Sequence, residues 1–207
     1  MFAAVSLVAA VSCGFAESAD EPLKAAALRD ALPDSEGLPG FTAKPQSEPL
    51  LEKQDVVTVD EPACRPIVDV MSVRPRHARE AMVWATLDGK GSSVEGSLTL
   101  SSHTPDDAEA WMRELKEARA KCTEFRATSK RGWSYGFTVD PLPPVSAGDD
   151  SIAYVLTNAE APDGKGNSVT VVRTGGTFAT YLLAGEPGPV AAEAAEKQHE
   201  ALRRAAE

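Results

Sequence analysis

One stretch of this sequence constrains the fold more than any other: residues 104–122, TPDDAEAWMRELKEARAKC. Thr104 is placed to cap a helix by accepting from a free N–H of the first turn. Asp107, three residues on, completes a variant of the capping box. Pro105 stands where a missing N–H costs nothing, and Asp106 and Asp107 face the positive end of the helix dipole. Trp111, Leu115, Ala118 and Cys122 recur at helical spacing, so one face of this helix must be buried. The helix delivers Cys122 to the core region, where Cys64 is its one evident partner.

The first residues say where such a pair would find itself. Residues 2–12, FAAVSLVAAVS, are apolar throughout. They are too short to span a bilayer and fit the h-region of a secretory signal. Cys13 follows Ala10-Val11-Ser12 and precedes Gly14, which resembles a lipobox whose cysteine is diacylglyceryl-modified and becomes the new N-terminus. Ala10 stands where Leu is usual, and no positively charged n-region is present, so the true start is expected upstream or elsewhere than Met1. A plain cleaved signal and a buried N-terminal segment are the alternatives. Residues 1–12 are thus expected to be signal, 13–22 a lipid-anchored tether, small, polar and acidic after the cysteine, and 23–207 a single domain. With Cys13 set aside, Cys64 and Cys122 are an even pair in an apparently exported chain, for which a disulfide is the default and two buried thiols the alternative.

The chain has 207 residues, 43% of them hydrophobic, enough for one domain with a core. A net charge of −10 repels nucleic acid and anionic headgroups, so no nucleic acid is expected as a partner. Residues 23–32 read as a short helix that stops before Pro33. Residues 33–48 are turn-rich, with Leu38 and Phe41 pinned to the domain. Residues 56–59 are a brief extended run, and 64–73 a short helix with Pro66 in its first turn. Residues 81–87 and 93–101 alternate as strands, the second with Val94, Gly96, Leu98 and Leu100 on one face. After the central helix, Trp133, Tyr135, Phe137 and Val139 alternate. Residues 141–148 form a rigid loop, and strands follow at 152–157, 167–173 and 177–183, the last two joined by a tight Thr174-Gly175-Gly176 hairpin. Residues 190–205 close the chain as an Ala-rich helix. The expectation is an α+β domain: helices packed on a mostly antiparallel sheet of about six strands, with one disulfide.

These residues also occur together in a familiar order: the lipobox-like start, Leu38-Pro39-Gly40-Phe41, Cys64-Arg65-Pro66, a strand pair, a Pro105-Asp106-Asp107-Ala108-Glu109-Ala110 helix ending in cysteine, Gly148-Asp149-Asp150-Ser151-Ile152-Ala153-Tyr154, and a Val171-Val172-Arg173-Thr174-Gly175 hairpin. The order resembles actinobacterial secreted lipoproteins similar to the PknH-like extracellular sensor domain family, over residues 32–207. The resemblance implies an exported α+β domain with a cleft for an unidentified ligand and no known catalytic activity. It matches Cys64 and Cys122 to one disulfide of that domain. The kinase ectodomain carries a second disulfide for which this chain has no cysteines, so the shape of the cleft departs from it. No kinase motif is present, so signalling would need a partner.

Catalytic constellations are scarce. His77, His103 and His199 are scattered, without a second ligand at metal spacing, and neither a metal nor a cofactor is expected. Gly89-Lys90-Gly91 and Gly164-Lys165-Gly166 lack P-loop spacing and read as hairpin turns. Asp149 and Asp150 are adjacent, whereas glycosidase carboxylates face each other across a cleft. Trp133 and Tyr135 either line a pocket or belong to the core. Arg173 either grips a carboxylate or phosphate or ends a strand at the surface. With Tyr181 of the last strand, these are the candidate ligand-binding residues. The leading expectation is a lipid-anchored extracytoplasmic sensor-like or ligand-binding domain, without catalytic activity, for an unknown small ligand or cell-envelope component. A secreted form is the alternative location. An envelope hydrolase built on Asp149, Asp150 and a histidine, and a protein-docking module using a sheet edge or the terminal helix, are the alternative functions.

Overall fold

The computed structural model describes residues 21–53, 55–161, 166–184 and 188–207. The signal and lipidation assignments, Cys13 included, lie outside the described residues, as do all of the tether but its last two residues and Gly164-Lys165. In chain order the elements are α1 (Ala25–Ala31), β1 (Phe41–Pro45), β2 (Val57–Val59), α2 (Arg65–Asp69), β3 (Ala81–Gly89), β4 (Glu95–Ser102), α3 (Pro105–Lys121), β5 (Glu124–Ser129), β6 (Ser134–Leu142), β7 (Asp150–Asn158), β8 (Gly166–Thr174), β9 (Thr177–Ala184) and α4 (Ala192–Ala205). Among the described residues no helix is long and apolar enough to cross a membrane.

The expected sheet of about six strands has nine, in the order β1-β3-β4-β9-β8-β7-β6-β5-β2, with every neighbouring pair antiparallel. The three extra strands are β1, β2 and β5, and each is hidden by short length or polar neighbours. In β1 only Phe41 and Ala43 turn inward, inside a turn-rich stretch. In β5 the inward set is Phe125, Ala127 and Ser129, too small and polar to announce a strand. In β2, three residues pair with the outer edge of β5. The helix expected over 64–73 is shorter: a 3-10 turn at Pro62–Cys64, then α2, which stops at Asp69.

The helices divide between the two faces of the sheet. α1 and α4 cover the side bearing Ala43, Val83, Ala85, Leu98, Leu100, Tyr181 and Leu183. α2 and α3 cover the other side, over Phe125, Val139, Ile152, Tyr154, Val169, Val171 and Phe178. β8 is buried on both sides from Ser168 to Val172, while β9 is buried on both sides only up to Ala179, its Leu182 being 40% exposed. The hairpin between them needs both glycines: Gly175 has φ +55°, and a Cβ on Gly176 would stand 2.5 Å from the carbonyl oxygen of His103.

α3 keeps the expected design. Thr104 Oγ1 accepts from the Asp107 N–H at 3.2 Å, and Ala108, Trp111, Met112, Leu115 and Ala118 are buried. α4 spends its apolar residues on its own sheet, with Ala194, Ala195 and Leu202 buried and Gln198 donating to the Ala31 carbonyl at 2.9 Å. It offers no apolar strip for a docking partner.

Cys64 and Cys122 form the disulfide, with Cα atoms 5.2 Å apart and a sequence separation of 58. It fastens the 3-10 turn before α2 to the end of α3. By chain entropy alone a loop of that length contributes about 4 kcal/mol. Replacing both cysteines with serine is expected to lower the unfolding free energy by about 4 kcal/mol, read from urea denaturation. An unchanged urea midpoint would count against a structural role for the bridge.

Candidate functional site

The α2/α3 side of the sheet is only partly covered by helices. Over β3, β4 and β9 it carries Met82, Trp84, Ser97, Thr99, Thr180 and Leu182, and what lies above them is the connection from β1 to β2. That strap is fastened at its start: the Gln46 N–H donates to the Trp84 carbonyl at 3.0 Å, and Trp84 Nε1 donates to the Glu48 carbonyl at 2.7 Å. Near its end the Val73 N–H donates to the Asp55 carbonyl at 2.7 Å. Between these anchors Leu50 and Leu51 roof a groove of about 180 Å³. Its walls are Ile67, Val70 and Met71, and its floor is Ser97, Thr99, Tyr154, Leu156, Val169, Thr180 and Leu182. Leu182 is 40% exposed, one of only two large hydrophobic side chains among the described residues left open to this degree.

The groove shares Leu50, Leu51, Val70, Thr99 and Thr180 with a narrow annex of about 30 Å³ that reaches inward to Arg79, Ser101, Trp111 and Phe178. Trp111 is the hub of this end. Its ring lies 5.2 Å from His103 and 5.3 Å from Phe178, both edge-on, and its Nε1 donates to the Pro66 carbonyl at 3.2 Å. The Arg79 guanidinium stands 5.5 Å above it, a cation–π contact. Arg79 is held from behind by the carbonyls of Ser72 at 2.6 Å and Asp69 at 2.8 Å.

Burial dominates the electrostatics here. It pulls Arg79 down to about 10, against the pull of the Asp69 carboxylate, so the guanidinium is still charged at neutral pH. Burial also raises Asp69, opposed by the Arg76 N–H and by Arg65, whose Nε lies 2.6 Å from the carboxylate. His103 is fully buried, with Nδ1 at 2.8 Å from the Ala78 carbonyl and Nε2 at 3.1 Å from Ser101 Oγ. Burial lowers it to about 4, so the ring is neutral at pH 7. His77 sits between Asp107 at 3.0 Å and Glu114 at 3.3 Å. Its hydrogen bond, with that of Thr104, holds Asp107 below the usual carboxylate range.

The four ligand-binding candidates from the sequence do not converge. Trp133 and Tyr135 stack on each other, 5.6 Å between centroids, at the end of β6. Arg173 lies beside α3, donating to the Gly175 carbonyl at 3.1 Å, with Asp149 at 3.8 Å and Glu109 at 4.0 Å. Tyr181 is fully buried on the opposite face, under α1 and α4. Its hydroxyl has no hydrogen-bond partner among the described residues, and burial pushes its pKa up. Asp149 accepts from the Gly175 N–H at 2.6 Å, and Asp150 pairs with Lys116. His199 bonds Thr174 at 2.7 Å, both ring nitrogens of His103 are hydrogen-bonded, and His77 bonds Asp107 through Nδ1 while its Nε2 has no hydrogen-bond partner among the described residues. Asp149 and Asp150 line one cavity of about 560 Å³, and Asp149 and His103 another of about 360 Å³, but each side chain is engaged by its own partner. Gly89-Lys90-Gly91 is the expected turn, with the Gly89 N–H bonded to the Val94 carbonyl at 2.8 Å.

Sequence reasoning passed over Leu50, Leu51, Arg79, Thr99 and Leu182. The one available signal was the unbroken Tyr181-Leu182-Leu183, which puts an apolar side chain on each face of its strand.

No protein-family model matches the sequence, and neither does any curated protein. The structure is similar to the crystal structure of the extracellular domain of PknH from Mycobacterium tuberculosis, with a TM-score of 0.57 and 15% sequence identity, over 90% of this chain and 98% of that one. The two share a fold.

The buried histidine gives a pH signature. Its folded value of about 4 lies below its ordinary 6.5, so its contribution is fully present above pH 6.5 and is lost as the pH falls toward 4. At 1.36 kcal/mol per pH unit the loss is roughly 3 kcal/mol. Urea denaturation of the parent and of His103→Gln at pH 7.5 and 4.5 is expected to show the parent losing more stability by about that amount. Parallel losses would mean that the histidine is neutral in neither state or exposed in both.

Proposed function

We propose that this chain is a non-catalytic, extracytoplasmic ligand-binding domain of the sensor type, anchored to the outer face of the membrane through lipid on Cys13. The observation that carries the reading is the apolar groove beneath Leu50 and Leu51, with Leu182 open at its mouth. A stable domain rarely leaves such a side chain beside an unfilled apolar cleft unless something binds there. Supporting considerations are the engagement of Asp149, Asp150 and the histidines by separate partners, the disulfide, which suits an oxidising compartment, and a fold shared with a kinase's extracellular domain. The ligand is a small molecule or a cell-envelope component. The net charge of −10 disfavours nucleic acid.

Two measurements test this. Native mass spectrometry of the full chain, exported through an oxidising compartment, is expected to show a discrete adduct that denaturation removes. Thr180→Trp, which fills the groove floor, is expected to lose it. An adduct that survives in Thr180→Trp would place binding elsewhere. In cell fractions, Cys13→Ala is expected to move the protein from membrane to soluble material. A parent protein already soluble would remove the anchor from the reading.

A further inference from the structure

We infer that the groove takes a medium-chain carboxylate amphiphile, such as a fatty acid of about ten carbons, with its chain over Leu182 and its carboxylate in the annex against Arg79. This rests on the reading of the groove as the ligand site.

Three observations point to that chemistry. First, Arg79 is the only charged residue lining either cavity among the described residues. In a protein of net charge −10 the annex carries a positive lining with no carboxylate on it. Asp69 does not cancel it, because Asp69 already pairs with Arg65 at 2.6 Å: two guanidinium groups share one carboxylate. Second, the carbonyls of Ser72 and Asp69 occupy only two of the five guanidinium N–H groups, so donors are left for a ligand oxygen. Ser101, buried in the same annex, spends its hydroxyl proton on His103 Nε2, so Arg79 is the donor left to a ligand oxygen. Third, the size fits. The annex of about 30 Å³ holds roughly two water-sized atoms, which suits the two oxygens of a carboxylate. By the same measure the groove of about 180 Å³ holds about a dozen atoms, which sets the chain length.

The experiment is isothermal titration calorimetry of the full chain with decanoate and with decan-1-ol, which differ only in the head group. Decanoate is expected to bind the parent about ten- to a hundred-fold more tightly than decanol, the range of a charge-assisted hydrogen bond at a partly buried site. Arg79→Gln is expected to bring decanoate to the level of decanol. Arg79→Lys, which keeps the charge, is expected to retain most of the preference and serves if Arg79→Gln does not fold. Equal binding of decanoate and decanol to the parent overturns the head-group assignment while leaving the groove as a ligand site. Binding of neither overturns the groove itself and the proposal with it. A preference for decanoate that persists undiminished in folded Arg79→Gln places the carboxylate elsewhere and overturns the role of Arg79.

Discussion

The groove exists because β1 and β2, consecutive in the chain, form opposite edges of a nine-stranded sheet. Across eight interstrand gaps of about 4.8 Å the edges of a flat sheet would be about 38 Å apart. The chain from Pro45 to Val57 has twelve residue steps and reaches at most about 40 to 43 Å. The strap therefore has almost no slack unless the sheet twists and coils to bring its edges together, as sheets of this width do. A connection that short cannot sink into the core or wander from the face. It stays close to the face it crosses, turns at Glu52–Asp55, and meets side chains over Thr99 and Thr180 through Leu50 and Leu51.

The wall opposite the strap is built from two constraints that meet on α3. The disulfide ties the turn before α2 to the end of α3. Trp111, about three turns further up, receives the segment between α2 and β3 through Arg79 and His77, and α2 itself through the Pro66 carbonyl. Together they hold α2 against β2 and leave Val70 and Met71 facing the floor. A covalent bond at one end and a packed indole at the other make the cleft a property of the folded scaffold rather than of a mobile loop.

What the sequence made legible follows the strength of local patterns. The capped helix with Trp111 on its buried face, the alternation in β4 and β6, and the hairpin at Gly175-Gly176 each carry their own period or turn chemistry, and the structure has them. β1 and β5 were missed because Phe41-Ala43 and Phe125-Ala127 are pairs of inward residues too few to make a period. The groove was not legible for a different reason. Leu50 and Leu51 come from a turn-rich stretch, Thr99 from the polar side of a strand and Arg79 from a loop, and only the crossing of the sheet brings them together. Aromatic alternation drew attention to Trp133 and Tyr135, whose rings instead find each other. The period-two pattern marks a face but not what lies above it.

The long-range field and the local charge of the groove pull in opposite directions, and magnitudes decide between them. At about 15 Å in water each surplus surface charge repels an anion by roughly 0.3 kcal/mol, and screening at physiological salt cuts this to a few hundredths. Ten such charges amount to less than about 1 kcal/mol. Burying nine aliphatic carbons is worth about 7 kcal/mol at 0.8 kcal/mol each, before the cost of immobilising the chain. The acidic surface therefore does not exclude an anionic amphiphile. Nor does so small a repulsion select among anions, and it leaves discrimination between head groups to the guanidinium beside Trp111.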